Sequence, residues 1–307
     1  MGYACICLGL PHRSTSRTVR VANATPARLR ELITANLADL QAILEYNNAN
    51  RFGLFRLNQS VIPLASHAVN ALKWWAEDEF APQLRLIGDF IKQHGLRVSM
   101  HPGQYTVLNS QNPAVVVAGI SEICATCRVL DALGLDATHK IIVHAGAGKP
   151  DHSAALVRLV ETWVTFPDGV RARLAVENDD TTFSVAELLP ICRARGIPLI
   201  FDLLHHIANP GGWAHRPLAE IFAEVVTTWQ AKDGIPKVHF SCQDPLKRAG
   251  AHAYWLDPAE FVSFAHALAD FTIDMMVECK GKDLALLRLR ERVEREDGGN
   301  VFGEQSL

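Results

Sequence analysis

The sequence has little excess charge of either sign and lacks a long apolar run. Its 307 residues carry 30 Lys and Arg against 33 Asp and Glu, a net charge of −3. Global charge therefore gives no argument for a nucleic-acid or membrane partner, and nucleic-acid binding would need a local basic patch. No apolar run approaches the roughly 20 residues of a membrane span. The apolar start, residues 1–10, lacks a basic segment and a cleavage site, so we expect it to form a strand.

The cysteines do not follow a zinc or disulfide pattern. There are seven of them, an odd number. Cys124 and Cys127 form a C-x-x-C pair inside a helical pattern, without the second pair or nearby histidine that a zinc site needs. Cys5 and Cys7 are expected on one face of the first strand. We predict buried, reduced thiols, which suit a cytoplasmic protein.

The first predicted strand is not followed by a glycine-rich phosphate loop, which disfavours an open doubly wound sheet. Short apolar runs instead alternate with longer helical patterns throughout the chain. This order predicts an α/β fold, a single (β/α)8 TIM barrel over residues 1–292, followed by a polar, frayed tail at 293–307. The predicted strands lie at residues 3–10, 52–59, 96–103, 140–147, 173–180, 198–206, 236–243 and 272–280.

Titratable residues stand at the carboxyl ends of six consecutive predicted strands. In a barrel these ends converge on one mouth, where active sites lie. Buried carboxylates there would repel one another unless a cation lay between them, and mixed imidazole and carboxylate groups suit Zn, Mn or Fe. The residues are His101, His144, Glu177, Asp202 with His205, Lys237 with His239, and Glu278.

With His252 from the following loop, this set exceeds the ligands that one zinc ion takes, so two or three ions are predicted. Clustered ions suit in-line displacement at phosphorus, because they activate water and stabilise the leaving oxygen. His206, His215 and His266 lack such placement, and we interpret them as surface or packing residues.

Two basic loops are candidates for contact with a phosphate backbone. Residues 11–20 contain Arg13 and Arg17, and residues 243–252 contain Lys247 and Arg248. Both loops follow predicted strands at the barrel mouth, where local positive charge would attract phosphates. The alternative is an ordinary solvated surface.

The motifs "SMHPGQY", "VHAG", "AVENDD", "FDLLHH", "PKVHFSCQDP" and "VECKGKDLALLRL" resemble those of the UV damage endonucleases in order and spacing. The resemblance runs from Tyr3 to about Arg290. It implies a xylose-isomerase-like TIM barrel that nicks damaged double-stranded DNA immediately 5′ to UV photoproducts and related lesions, leaving a 3′-hydroxyl and a 5′-phosphate. It also implies two or three divalent ions, with Mn²⁺ expected and Zn²⁺, Co²⁺ or Mg²⁺ as alternatives.

The resemblance also assigns roles to individual residues. Glu177 would bridge two ions, and Lys237 and His239 would take part in catalysis with it. Gln104 and Tyr105 would probe the damaged site, and Tyr3 would face the mouth. The implied metal ligands are His101, His144, Glu177, Asp202, His205, His239, His252 and Glu278.

Lys237 lies two residues before His239, so both side chains are expected on the inward face of one strand. An ammonium among cations is unfavourable, so Lys237 should lose its proton, pair with a carboxylate such as Glu278, or become a carbamate.

Two other functions stay open at this point: a metal-dependent sugar isomerase on the same barrel, and a DNA-damage binder without catalysis. For the endonuclease we expect neither a membrane nor an obligate protein partner, and a cytoplasmic, nucleoid-associated location.

Overall fold

Eight short parallel strands, in sequence order, form a closed barrel in the computed structural model, which describes residues 1–103 and 105–297. The predicted (β/α)8 barrel is therefore confirmed. The strands are β1 (Gly2–Ala4), β2 (Leu54–Leu57), β3 (Arg97–Met100), β4 (Ile141–His144), β5 (Leu174–Glu177), β6 (Leu199–Asp202), β7 (Lys237–Phe240) and β8 (Asp274–Val277).

Helices connect most of the strands, and polar caps set where several of them begin. The side chain of Thr25 accepts a hydrogen bond from the backbone N–H of Arg28, and Asn112 and Asp257 cap their helices in the same way. Each of these three caps is followed by a proline, whose missing N–H costs nothing in the first turn. Within the described residues the helices are α1 (Pro26–Ala49), α2 (Ala81–Gln93), α3 (Pro113–Ala132), α4 (His152–Thr165), α5 (Asp168–Arg173), α6 (Val185–Arg195), α7 (Leu203–Ala208), α8 (Leu218–Val226), α9 (Pro258–Ala267) and α10 (Lys282–Asp297).

The chain folds as two compact units. One comprises Cys5–Leu174 and contains β2, β3 and β4; the other comprises Met1–Ala4 and the residues from Ala175 onward. In the second unit, the ring of Phe240 on β7 lies 5.6 Å from Phe261 and 5.3 Å from Phe264, both on α9. These buried rings anchor the strand that carries His239.

The first strand is shorter than the sequence predicts. It ends at Ala4, because Cys5 adopts a left-handed backbone with φ of 67° and donates its N–H to the carbonyl of Arg56 at 2.9 Å. The expectation that Cys5 and Cys7 share a strand face is therefore wrong. All seven cysteines are free thiols, as predicted, and five of them are buried. Burial raises the pKa of Cys192 to about 12.

Two other regions differ from expectation. Helix α10 continues to Asp297 and buries Val293, so the expected boundary at residue 293 lies inside a helix; residues 298–307 lie outside the described residues. An 18-residue window of helix α3 has a mean hydropathy of 1.6, so by length and composition the helix could cross a membrane, contrary to the expectation of no such run. A core helix of a soluble protein passes the same test, and α3 buries one face that includes Ile123 and Leu130.

Candidate metal centre

Four predicted ligands meet at the carboxyl ends of neighbouring strands. Glu177 and Asp202 are the last residues of β5 and β6, His239 lies in β7, and Glu278 directly follows β8. Each offers one ligand atom, and these four atoms all lie within 4.8 Å of one another. The first three side chains are 1% exposed or less. This is the spacing and composition of a divalent-cation site.

Without a cation, burial and mutual repulsion make the ionised form of the carboxylates in this cluster unfavourable. Burial, helped by the nearby Glu177 and Glu278 carboxylates and opposed by His205, raises the pKa of Asp202 to about 8. Among the described residues, the buried Oδ2 of Asp202 has no hydrogen-bond partner. A bound cation would supply that partner and offset the repulsion, so the residues present fit a metal.

His239 presents its Nδ1 to the carboxylates. This atom lies 2.8 Å from Oε1 of Glu177 and 3.1 Å from Oε1 of Glu278. In the metal-free protein the Nδ1–H can donate to Glu177. Because the Nδ1 side faces the cluster, Nδ1 is the atom that would ligate an ion.

His205 and His252 present the opposite nitrogen. The Nδ1 of His205 lies 3.0 Å from the backbone carbonyl of Asn178, and the Nδ1 of His252 contacts the carbonyl of Glu278. A carbonyl accepts only, so each Nδ1 carries the proton and each Nε2 keeps its lone pair for a metal. Burial opposes a charge on His205, but Asp202 and Glu177 raise its pKa to about 9, so at neutral pH Nε2 also carries a proton, which a metal ion would have to displace.

His101 and His144 form a second pair. His144 ends β4 and His101 directly follows β3, as predicted, and their rings lie 5.1 Å apart. The Nδ1 of His101 lies 3.1 Å from the carbonyl of Pro102, which again leaves Nε2 as the ligand atom.

Asn178, which the sequence reasoning missed, holds two of the predicted ligands in place. Its side-chain amide donates to the carbonyl of Asp202 at 3.0 Å and accepts from the N–H of Asp202 at 2.9 Å. Its own carbonyl accepts from His205. The signal was present, since Asn178 follows Glu177 at a strand end, but a search for titratable groups passes over an amide.

The residues expected to contact the lesion differ in their exposure to solvent. Tyr3 is fully buried in β1, and its role in lesion binding stays a prediction. Gln104 lies outside the described residues. Tyr105 is 84% exposed, as a probing residue requires.

Arg13 and Arg17 are engaged in an ion-pair cluster rather than standing free. Their guanidinium groups lie 2.8 and 2.6 Å from the two carboxylate oxygens of Asp39. Burial would raise the pKa of Asp39, but the bonds from Arg13 and Ser14 hold it below its ordinary value. Both arginines therefore anchor the loop of residues 11–20 to α1, and only their exposed portions remain for phosphates.

Lys247 and Arg248 are largely exposed in the loop after β7. The ammonium of Lys247 lies 3.7 Å from Asp244, and Arg248 pairs with Asp180. Lys237 is the first residue of β7 and is fully buried. His206 packs on the ring of Phe201 at 5.5 Å, and His215 and His266 are exposed, which agrees with a surface or packing role.

Comparisons with known proteins cover nearly the whole chain. The family model described as UV-endonuclease UvdE matches residues 1–306. A UV DNA damage endonuclease from Clostridium perfringens is 37% identical over 289 residues, which cover 94% of this chain and 69% of the relative. The crystal structure of SacUVDE matches with a TM-score of 0.87 and 32% identity over 96% of this chain and 97% of that chain.

A more distant match concerns the fold alone. The crystal structure of the 3-keto-D-glucoside 4-epimerase YcjR from E. coli has a TM-score of 0.54 and 13% identity, and it covers 82% of this chain and 94% of that chain. At this identity the likeness carries the barrel architecture and no activity.

Proposed function

Because this chain belongs to the UV-endonuclease family UvdE, we propose that it is a metal-dependent DNA repair endonuclease. Its proposed reaction is hydrolysis of the phosphodiester immediately 5′ to UV photoproducts and related lesions, leaving a 3′-hydroxyl and a 5′-phosphate. The family match over residues 1–306 carries this proposal. The sugar-isomerase alternative is not supported, since the sugar enzyme compared above shares only the fold.

The buried cluster supports the metal dependence. His101 directly follows β3 and His144 ends β4, and the resemblance to the UV damage endonucleases supports the proposal that both belong to the same ligand set. When bound, two or three divalent ions, with Mn²⁺ expected and Zn²⁺, Co²⁺ or Mg²⁺ as alternatives, would activate water and stabilise the leaving oxygen. The proposed ligands are His101, His144, Glu177, Asp202, His205, His239, His252 and Glu278.

The chain's own residues orient this set. Glu177 is the proposed bridging ligand, as the resemblance implies, and its Oε1 lies inside the cluster, 2.8 Å from the Nδ1 of His239. Asn178 fixes Asp202 and His205, so both ligands are positioned before an ion arrives. Lys237 is proposed to avoid repulsion with the bound cations by losing its proton, pairing with a carboxylate such as Glu278, or becoming a carbamate.

The function is tested by nicking. Irradiated and intact duplexes of one sequence are incubated with the protein, with and without Mn²⁺, and the cut is mapped on a sequencing gel. We expect metal-dependent cuts immediately 5′ to photoproducts in the irradiated duplex only. Binding of irradiated DNA without cutting would identify a damage binder instead of a nuclease, and cutting of both duplexes alike would remove the damage specificity.

Tyr105 is proposed to read the lesion together with Gln104. A planar ring standing free of the surface can stack on a base exposed by damage, which is worth about 1–3 kcal/mol per base. We therefore predict that Gln104→Ala with Tyr105→Ala lowers the preference for irradiated over intact duplex by about tenfold or more, with metal content unchanged. The measurement is the ratio of the two dissociation constants at one salt concentration. An unchanged ratio would show that damage is read elsewhere.

The expected location stays a proposal: cytoplasmic and nucleoid-associated, with damaged double-stranded DNA as the partner and no obligate protein partner. The relative from Clostridium perfringens is a bacterial DNA-damage enzyme, which is consistent with a soluble protein.

A further inference from the structure

The loop after β7, residues 243–252 and here called the β7 loop, is held rigid by its own hydrogen bonds. The N–H of Asp244 donates to the carbonyl of Ala251 at 2.7 Å. The amide of Gln243 donates to the carbonyl of Arg248 at 3.0 Å and accepts from the N–H of Gly250 at 2.8 Å. Gly250 has a φ of 78°, and a Cβ there would collide with Asp180, so glycine is required. These bonds make the loop a preorganised projection.

Leu246 stands at the tip of this projection and is 93% exposed. Its N–H donates to Oδ1 of Asp244 at 3.2 Å, and the N–H of Lys247 donates to the carbonyl of Asp244 at 3.1 Å. The turn that presents Leu246 is therefore fixed by its backbone, while its side chain contributes almost nothing to the folded protein. A single exposed leucine on a protein surface is ordinary. Leu246 differs in that hydrogen bonds within the loop fix its position.

Positively charged side chains surround Leu246. Lys247 and Arg248 follow it directly, and their side chains are 56% and 70% exposed. The ammonium of Lys280 lies 2.9 Å from Oδ2 of Asp244, at the base of the same turn. An apolar tip with cations beside it matches the chemistry of a duplex, in which stacked bases lie between phosphates.

The β7 loop is also tied to the metal centre. His252, a proposed ligand, closes the loop by a backbone bridge with Gln243, and its ring contacts the carbonyl of Glu278. The projection is therefore held at a fixed position relative to two proposed ligands. A group at its tip would act on the DNA at a set distance from the phosphate being cut.

We propose that Leu246 is an apolar wedge that enters the base stack of bound duplex DNA beside the cut site. This inference rests on the proposed function and deepens it. Wedges of this kind separate neighbouring base pairs and kink the duplex, and leucine is one of the residues that act so. Separation of the bases would favour the distorted conformation that damaged DNA reaches more easily than intact DNA.

The test compares Leu246→Ala with Leu246→Met, which keeps an apolar wedge, and with Leu86→Ala, which removes an exposed leucine from α2. The probes are an irradiated duplex and a duplex that carries 2-aminopurine beside the lesion, whose fluorescence rises on unstacking. We expect Leu246→Ala to weaken binding about tenfold and to abolish the fluorescence rise, because alanine is too short to fill the space between the separated bases. Leu246→Met and Leu86→Ala should behave as wild type.

A mismatched duplex separates a wedge from a general contact. If the bases beside the lesion are already unpaired, the wedge does not have to separate them. The loss of binding affinity caused by Leu246→Ala should therefore be smaller. An equal loss on paired and mismatched duplexes, or no loss at all, would overturn the proposal. If the wild type bound and unstacked the DNA but never cut it, the nuclease function would fail while the wedge stood.

Discussion

Glu177→Gln is expected to abolish nicking of irradiated DNA while leaving DNA binding intact. Its Oε1 lies 2.8 Å from the Nδ1 of His239 and 3.6 Å from the Nδ1 of His205, and its proposed role is to bridge two ions. An amide keeps the size of the side chain but loses the negative charge that holds cations together. Changes to groups that only support metal ligands cost about 10–100-fold, so removal of a bridging ligand should lower the rate by at least about 100-fold.

The same substitution should separate metal binding from folding. Glu177 is 1% exposed and accepts from the Nδ1–H of His239, and glutamine keeps the size of the side chain and an oxygen acceptor, so the melting temperature without added metal should change little. Mn²⁺ should raise the melting temperature of the wild type, because it binds the folded state, and should raise that of the variant much less. Glu220→Gln on the exposed surface of α8 makes the same chemical change and should behave as wild type. A variant that nicks at the wild-type rate would exclude the bridging role.

The sequence predicted the parts of this protein that depend on strand periodicity. A strand end can be read from where an apolar run meets a polar or glycine residue, so His144, Glu177 and Asp202 were placed at the ends of their strands. Parallel strands bring such ends together whatever lies between them. That is why the cluster of Glu177, Asp202 and their neighbours could be anticipated without knowledge of the helices.

The parts that the sequence did not predict depend on partners distant in the chain. The apolar start looked like a strand to residue 10, but the backbone of Cys5 turns left-handed and bonds to Arg56. Arg13 and Arg17 looked like free cations, and their pairing with Asp39 depends on how the loop folds onto α1.

Asn178→Ala is expected to lower the affinity for Mn²⁺ by about 10–100-fold, with a matching fall in nicking at low metal concentration. The Asn178 side chain makes two hydrogen bonds to the backbone of Asp202, 3.0 and 2.9 Å long. Without these bonds, the backbone at the end of β6 becomes more flexible. Metal binding must then order Asp202 and the following turn, which lowers the affinity for the ion. Asn178 is a positioning residue, so excess Mn²⁺ should restore much of the rate, and the dissociation constant for DNA should stay unchanged.

Asn209→Ala is the matched control for this prediction. Its side-chain amide also donates to a backbone carbonyl near the end of β5, that of Asp179 at 3.2 Å, and its backbone N–H, which alanine keeps, donates to the carbonyl of His205 at 2.8 Å. If Asn178 acts only by stabilising the fold, the two variants should lose thermal stability and activity in proportion, and added Mn²⁺ should rescue neither. If Asn178 holds Asp202 ready for a cation, only Asn178→Ala should shift the Mn²⁺ titration of nicking. The position of that titration midpoint, measured for both variants at one DNA concentration, decides between the two explanations.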